Sequence, residues 1–226
     1  MSAITIDEKR LARIKTLKHG THSDIRSGAC VMEAVAYVAG EPWSDHPKCV
    51  SPVIAGLLRS WNDSLPSDTD RDRLLRPLIP HVLNTRNPEL EQCRAMMCAD
   101  WMIREHAPAW LRLAGLNDDA DALSSLPEIT DFAQCPAIMP ALNAAPRFCH
   151  TAWDAARDAA GAAVWNAVRA AAWNAATDAI ADALWDGERA TAWDAARDAA
   201  GAALKPTVEL LQSSAQRLVI RMCEAA

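Results

Sequence analysis

The chain has 226 residues, 50% of them apolar, and a formal net charge of −6 at pH 7. That length suits one large domain or two small ones, and the acidic balance excludes general binding of duplex nucleic acid while allowing a local basic pocket. The sequence has no apolar run long enough for a membrane span and no apolar signal core near its N-terminus, so we expect a cytoplasmic protein without a membrane partner.

Residues 1–147 are predicted to form a helical domain that carries most of the prolines, cysteines and histidines. Strand signals are scarce, and residues 67–70 and 87–89 are typical helix starts. Predicted helices cover residues 7–17, 29–39, 52–62, 69–76, 89–106, 108–114 and 118–124. Four prolines in 127–146 indicate an irregular connector with one short helical turn. The predicted fold class is therefore all-α.

A four-residue repeat from Ala152 to Ala203 dominates the second predicted domain, residues 148–226. Most tetrads end in Ala, which favours helix, and most have Trp or Arg in their second position. Because a helical turn has 3.6 residues, this stripe drifts by about 40° per tetrad, and one isolated helix cannot bury every indole. We therefore expect a hairpin or bundle, interrupted within 185–188, that also packs between copies of the chain.

A last amphipathic helix is predicted to start at Pro206. Its expected buried face consists of Val208, Leu211, Ala215, Leu218 and Met222.

The repeat also predicts a ligand site, because several Trp and Arg residues stand four apart and are neighbours on a helix. Indole faces can stack on bases while guanidinium groups hold phosphates, which suits a nucleotide. The alternative interpretation is that the indoles form the packing layers of an Ala-rich bundle and each Arg pairs with the Asp three residues before it. The candidate ligand-binding residues are Trp153, Arg157, Trp165, Arg169, Trp193 and Arg197.

The segment 19–49 concentrates residue types that could perform chemistry. Cys30 is expected to open a helix, where the helix N-terminus lowers the pKa of a thiol. A cysteine–histidine hydrolase or transferase would use Cys30 as nucleophile, with a histidine as base and a carboxylate to orient it. The alternative is that Cys30 packs in the core while the histidines cap loops, so no catalytic residue is favoured. The histidines considered are His46 and His22, and the carboxylates are Asp45 and Asp24.

Four further expectations concern cysteine, histidine and carboxylate residues. His19, His22, Cys30 and Cys49 are suitable zinc ligands, but their spacing does not match a zinc motif, so we expect no metal and no cofactor. Cys93 and Cys98 are expected to pack in the core. Glu33 would either act as an acid or base or pair with Arg26. The seven scattered cysteines are expected to be reduced thiols.

Three segments carry a resemblance to a known group of proteins. They are GACVMEAVAYVAGEPWSDHPKCVSPVIAGLLRSWND at 28–63, RLLRPLIPHVLNT at 73–85 and ADWMIREHAPAWLRLAGL at 99–116. With the Ala-rich tail, they resemble a family of uncharacterised proteins encoded by bacteria, actinobacteria among them, and by phages. The resemblance implies an accessory protein of phage or mobile-element type.

These observations together favour a non-catalytic, self-associating helical protein. Recognised motifs for nucleotide-dependent, zinc-dependent or serine-dependent catalysis are absent from the sequence. We expect such a protein to bind a host partner or to sequester a small ligand, for example a nucleotide immune signal in counter-defence. The alternative function is the enzyme built on Cys30.

Overall fold

A computed structural model of the protein describes residues 5–113, 115–134, 136, 140 and 189–225, without the side chains of Phe132 and of residues 189–201. Helices and turns make up these ranges, and no strand occurs in them. The predicted all-α class is therefore confirmed. None of the helices in this part of the chain combines the length and apolarity needed to cross a membrane.

The α-helices follow the chain in this order: α1 Glu8–Leu11, α2 Val31–Ala39, α3 Pro52–Ser64, α4 Asp68–Leu74, α5 Ile79–Val82, α6 Glu91–Trp101, α7 Ala107–Leu113, α8 Asn117–Ser124 and α9 Arg189–Glu224. Short 3-10 turns occupy Arg76–Leu78, Pro88–Leu90 and Phe132–Gln134, and a π-helical turn, Met102–His106, lies between α6 and α7. The predicted starts are confirmed, because Ser67 accepts the Asp70 N–H and Asn87 accepts the Glu89 N–H.

The chain divides into two compact units, Met1–Ala95 with Ala215–Ala226 and Met96–Ser214. In the first unit α2 is almost entirely buried, and Leu218, Val219 and Met222 near the end of α9 are buried as well. The Arg94 Nε donates to the Met222 carbonyl at 3.0 Å. The last residues thus group with the N-terminal unit, while the expected boundary at 147/148 lies outside the described residues.

The second unit has its own apolar cluster, formed by Ile103, Ala107, Leu111, Ala120, Leu123 and Ile129. Beside it, the Asp100 carboxylate accepts the Ile129 N–H at 2.8 Å and pairs with Arg104 at 2.9 Å. Burial lowers the pKa of His106 to about 4, so its ring is neutral and can accept the Trp110 indole N–H at 3.3 Å.

The first helix is much shorter than predicted, since α1 ends at Leu11 and not near residue 17. The physical reason is a set of hydrogen bonds to two residues that are far away in the sequence. Arg76 donates to the carbonyl oxygens of Ile14 and Lys15, and Asp72 accepts the Leu17 N–H. These bonds hold 14–17 outside a helix, although the local sequence favours one.

The expected start of the last helix at Pro206 is wrong, because Pro206 lies inside α9. A proline inside a helix removes one backbone donor, but the Ala-rich residues before it have the highest helix propensity. Leu211, Ala215, Leu218 and Met222 are buried as predicted, whereas Val208 is half-buried. The predicted interruption within 185–188 lies outside the described residues.

The two cysteines predicted to pack in the core along α6 have different environments. Cys98 is buried, as expected, but Cys93 is exposed. The next residue, Arg94, is buried instead, and its side chain is 2% exposed. This charged group can be buried because three polar partners bond to its guanidinium group.

Candidate functional site

A cavity of about 1010 Å³ lies in the N-terminal unit and is lined mainly by the segments 13–18 and 25–29, with Tyr37 and Asp68. Its lining contains the basic side chains of Arg13, Lys15, Lys18 and Arg26 and one carboxylate, Asp68. We call it the basic cavity. It is a local concentration of positive charge on an acidic chain.

Hydrogen bonds join the two lining segments to each other and to α3. The Lys18 N–H donates to the Ala29 carbonyl at 2.9 Å. Asn62 of α3 is fully buried; its Nδ2 donates to the Lys18 carbonyl at 2.9 Å, and its Oδ1 accepts the Val31 N–H at 3.2 Å. Asn62 therefore joins Lys18 of one wall to Val31, two residues after the other wall of the basic cavity.

The segment 14–17 is held by an ion pair between Arg76 and Asp72 at 2.6 Å. Arg76 Nη1 donates to the Ile14 carbonyl at 2.8 Å and Nη2 to the Lys15 carbonyl at 3.1 Å. Asp72 Oδ1 accepts the Leu17 N–H at 3.0 Å. Because Arg76 binds its backbone, the Lys15 side chain projects from a segment with a fixed position.

Asp68 already has two cationic partners. Its Oδ1 pairs with Arg71 Nη1 at 2.8 Å, and its Oδ2 lies 3.9 Å from Lys18 Nζ. The Arg71 side chain is 5% exposed, and its Nε donates to the Asn62 carbonyl at 2.8 Å. The negative charge of Asp68 is largely balanced by this pairing, which leaves the other basic groups to set the potential of the cavity.

Tyr37 contributes an aromatic ring whose surroundings are occupied. The Arg10 guanidinium lies 5.4 Å from the ring centroid, and Trp43 packs edge-on with a centroid distance of 6.1 Å. A hydrogen bond with the Tyr37 side chain raises the pKa of Arg13, with a smaller electrostatic contribution from the same residue. Arg13 is therefore cationic throughout the accessible pH range.

The turn at 24–28 closes the other side of the cavity. Backbone N–H groups of Ser27 and Arg26 donate to the Asp24 carboxylate and lower the pKa of Asp24. Gly28 has a φ of 134°, and a Cβ placed there would lie 2.6 Å from the His22 ring and 2.9 Å from Lys18 Cδ. Only glycine fits this position, since both the backbone conformation and the space require it.

Behind this turn, Glu33 accepts three hydrogen bonds while it is only 2% exposed. The donors are the His22 N–H at 2.6 Å, the Cys30 N–H at 2.8 Å and the His22 Nδ1 at 2.9 Å. The Trp43 indole N–H donates to the His22 carbonyl at 2.7 Å. Glu33 thus pairs with His22 and not with Arg26, and this arrangement holds the chain in place from 22 to 33.

Cys30 opens α2 as predicted, and its sulfur accepts the Glu33 N–H at 3.5 Å. The expected lowering of its pKa is wrong. Burial raises the pKa of the Cys30 thiol to about 12 and outweighs the bonds from the helix start, which lower it. A thiol that is protonated at neutral pH is a poor nucleophile, and this observation favours the packing interpretation of Cys30.

The other proposed triad members bond to groups other than this thiol. The His46 Nδ1 bonds to its neighbour Asp45 at 2.7 Å, and the His46 side chain is 67% exposed. His22 uses its Nδ1 for Glu33. Within residues 5–113, the Cys30 sulfur bonds to the Glu33 N–H and to no imidazole.

The zinc interpretation requires His19, His22, Cys30 and Cys49 to meet. In the ranges that the structure covers, no three His, Cys, Asp or Glu side chains are placed to hold one metal ion. Burial, with a contribution from Glu41, raises the pKa of Cys49 to about 11. The cysteine thus has the character of a packed thiol.

The predicted ligand residues of the repeat fall where the structure gives no side chains. Trp153, Arg157, Trp165 and Arg169 lie outside the described residues. Trp193 and Arg197 lie in α9, where only the backbone is described. The basic cavity was not predicted; the available signal in the sequence was the density of Lys and Arg between residues 9 and 26.

Comparison with protein-family models, with curated proteins and with solved structures finds no match for this chain. The geometry of the site therefore carries the functional argument.

Proposed function

We propose that the protein is a non-catalytic helical accessory protein, of phage or mobile-element type, that self-associates and sequesters a small phosphorylated ligand. A nucleotide signal of host defence is the ligand that best fits such a counter-defence role in the cytoplasm of the bacterial host. The basic cavity is the single observation that carries the ligand part of this proposal.

The charges of the cavity support an anionic ligand. Lysine and arginine together provide point charges and planar pairs of donors, which phosphate oxygens accept in charge-assisted hydrogen bonds. The hydroxyl group of Thr16, also in the lining, can add a neutral donor. On a chain with a net charge of −6, such a cluster favours anions locally while the remaining surface repels long polyanions such as duplex nucleic acid.

Binding without chemistry is supported by the state of the nearest reactive groups. The Cys30 thiol is buried and has a raised pKa, and Glu33 and His22 are bonded to each other. These groups hold the turn that forms one wall, so their role in this proposal is to shape the cavity.

The ligand proposal predicts that Lys15→Gln with Arg26→Gln weakens ATP binding at least tenfold. A hydrogen bond to a charged group contributes about 1.5–3 kcal/mol, and about 1.4 kcal/mol corresponds to a factor of ten in Kd. Isothermal titration calorimetry on the full chain measures this effect. Lys48→Gln with Arg86→Gln is the matched control, because both are exposed basic residues outside the cavity lining and the charge change is equal.

If ATP, GTP and other phosphorylated small molecules do not bind the unmodified protein at micromolar to millimolar concentrations, the ligand proposal is wrong. Equal weakening by the control pair would assign the effect to net charge and would also contradict the cavity as the site.

Self-association is supported by the four-residue period of the tetrad repeat. Along a helix, that period is expected to turn successive indoles in different directions, so that more than one neighbour is needed to bury them. Light scattering on the full chain should therefore give a mass that is a multiple of 24.5 kDa. The mass should hold over a tenfold dilution from tens of micromolar. A monomer mass across that range would refute this part of the proposal and would leave the ligand part standing.

A further inference from the structure

We infer that the basic cavity recognises a chain of phosphate groups and not an aromatic base, so that its ligands are di- and triphosphates whatever they are attached to. This inference rests on the proposed function, since it names the part of the ligand that the same cavity binds. Inorganic triphosphate and nucleoside triphosphates share this chemistry.

Among the described residues that line the cavity, the one aromatic ring is not open to a base. A base that is recognised by stacking on an aromatic side chain needs an open face of that ring. Tyr37 is the aromatic residue of the lining. Arg10 covers its ring, Trp43 packs against it edge-on, and its hydroxyl side interacts with Arg13. A base that stacked on Tyr37 would have to displace one of these neighbours.

The cationic residues are distributed over both walls of the cavity. Arg13, Lys15 and Lys18 belong to one wall and Arg26 to the other, and the Lys18–Ala29 backbone bond joins the two walls at one end. One phosphate group exposes a few oxygens at a single point. A chain of two or three phosphates presents charge along its length and can contact both walls together, which raises affinity with each group added.

The walls are held in position before a ligand arrives. Asn62 is fully buried and bonds to Lys18 of the first wall and to Val31, two residues after the second wall, and Arg76 donates to two carbonyl groups of the first wall. A pre-formed site loses less conformational entropy on binding. The cavity volume of about 1010 Å³ is at the upper end of the usual range for ligand pockets, so a sugar and base fit without specific contacts.

A calorimetric series on the full chain, in magnesium-free buffer at one ionic strength, tests this inference. ATP, GTP, CTP, UTP and inorganic triphosphate are expected to bind within about threefold of one another, because the shared phosphates supply the contacts. AMP should bind at least about tenfold more weakly, and adenosine should not displace ATP. Lys15→Gln with Arg26→Gln should weaken all five triphosphates by the same factor.

Four results would overturn the inference. They are a preference of more than about tenfold for one base, displacement of ATP by adenosine, failure of inorganic triphosphate to displace ATP, and phosphate binding that the Lys15 and Arg26 changes leave intact. In the first three the proposed function survives, since a phosphorylated ligand still binds. If no phosphorylated probe binds at all, the proposed function itself fails.

Discussion

Replacing Arg94 with methionine is expected to lower the free energy of unfolding by about 3–5 kcal/mol, the usual cost of removing one partner from a buried charged network. The Arg94 side chain is 2% exposed. Its Nη1 donates to the Thr85 carbonyl at 2.6 Å and lies 3.2 Å from Glu91 Oε1, and its Nε donates to the Met222 carbonyl at 3.0 Å.

The position of Met222 explains why the expected effect is large. Met222 lies in the last turn of α9, which ends at Glu224, and carbonyl groups in the last turn of a helix commonly accept donors from outside that helix. Arg94 supplies a cationic donor at this helix end, which also interacts favourably with the helix dipole. Methionine has a similar length and apolar stem but donates no hydrogen bond. The Glu91 carboxylate then loses its cationic partner, although it still accepts the Ser51 hydroxyl, and two carbonyl groups lose a donor.

Urea denaturation followed by circular dichroism measures the change. Arg86→Met is the matched control, because Arg86 is exposed and only its backbone N–H is bonded, to the Cys49 carbonyl. The control should change the free energy of unfolding by less than about 0.5 kcal/mol. A loss below about 1 kcal/mol for Arg94→Met would show that the buried network contributes little beyond packing.

Arg94 also illustrates which features the sequence could predict. The starts of α2 and α4 and the 3-10 turn after Asn87 were predictable, because a capping side chain bonds to an N–H two or three residues away. Arginine side chains usually face solvent, and the partner of Arg94, Met222, is 128 residues away in the chain. No local pattern contains that information.

The difference between local and long-range contacts also explains why the length of α1 and the pKa of Cys30 were predicted wrongly. The residues after Leu11 have no helix breaker, but Arg76, at a separation of 62 residues from Ile14, binds their backbone instead. The helix start at Cys30 is a local property and was predictable. Its raised pKa results from burial, which depends on the packing of the whole unit.

The candidate site was only partly predictable for a related reason. Lys15 and Arg26 lie in stretches that the sequence alone describes as charged surface, and their approach depends on the Lys18–Ala29 bond and on Asn62. In the sequence, Gly28 is recognisable only as the residue before the helix predicted at 29–39. Its need for a positive φ and for close contact with His22 appears when the fold is complete.

Replacing Glu33 with glutamine is expected to lower the free energy of unfolding by about 2–3 kcal/mol, because hydrogen bonds to a charged group contribute more than neutral ones. The carboxylate serves three donors: the N–H groups of His22 and Cys30 and the His22 ring. Glutamine offers one acceptor oxygen, and its amide N–H₂ would face at least one of these donors. The buried donor that loses its acceptor accounts for most of the cost.

Urea denaturation measures this change as well, with Glu128→Gln as the control because Glu128 is exposed. The control should have an effect below about 0.5 kcal/mol. Since the turn from 22 to 28 forms one wall of the basic cavity, Glu33→Gln should also weaken ATP binding, although Glu33 does not line the cavity. Unchanged stability would mean that the buried carboxylate is not needed to hold this turn. If stability is lost but ATP affinity is unchanged, the hydrogen bonds of Glu33 stabilise the fold without positioning the wall of the basic cavity.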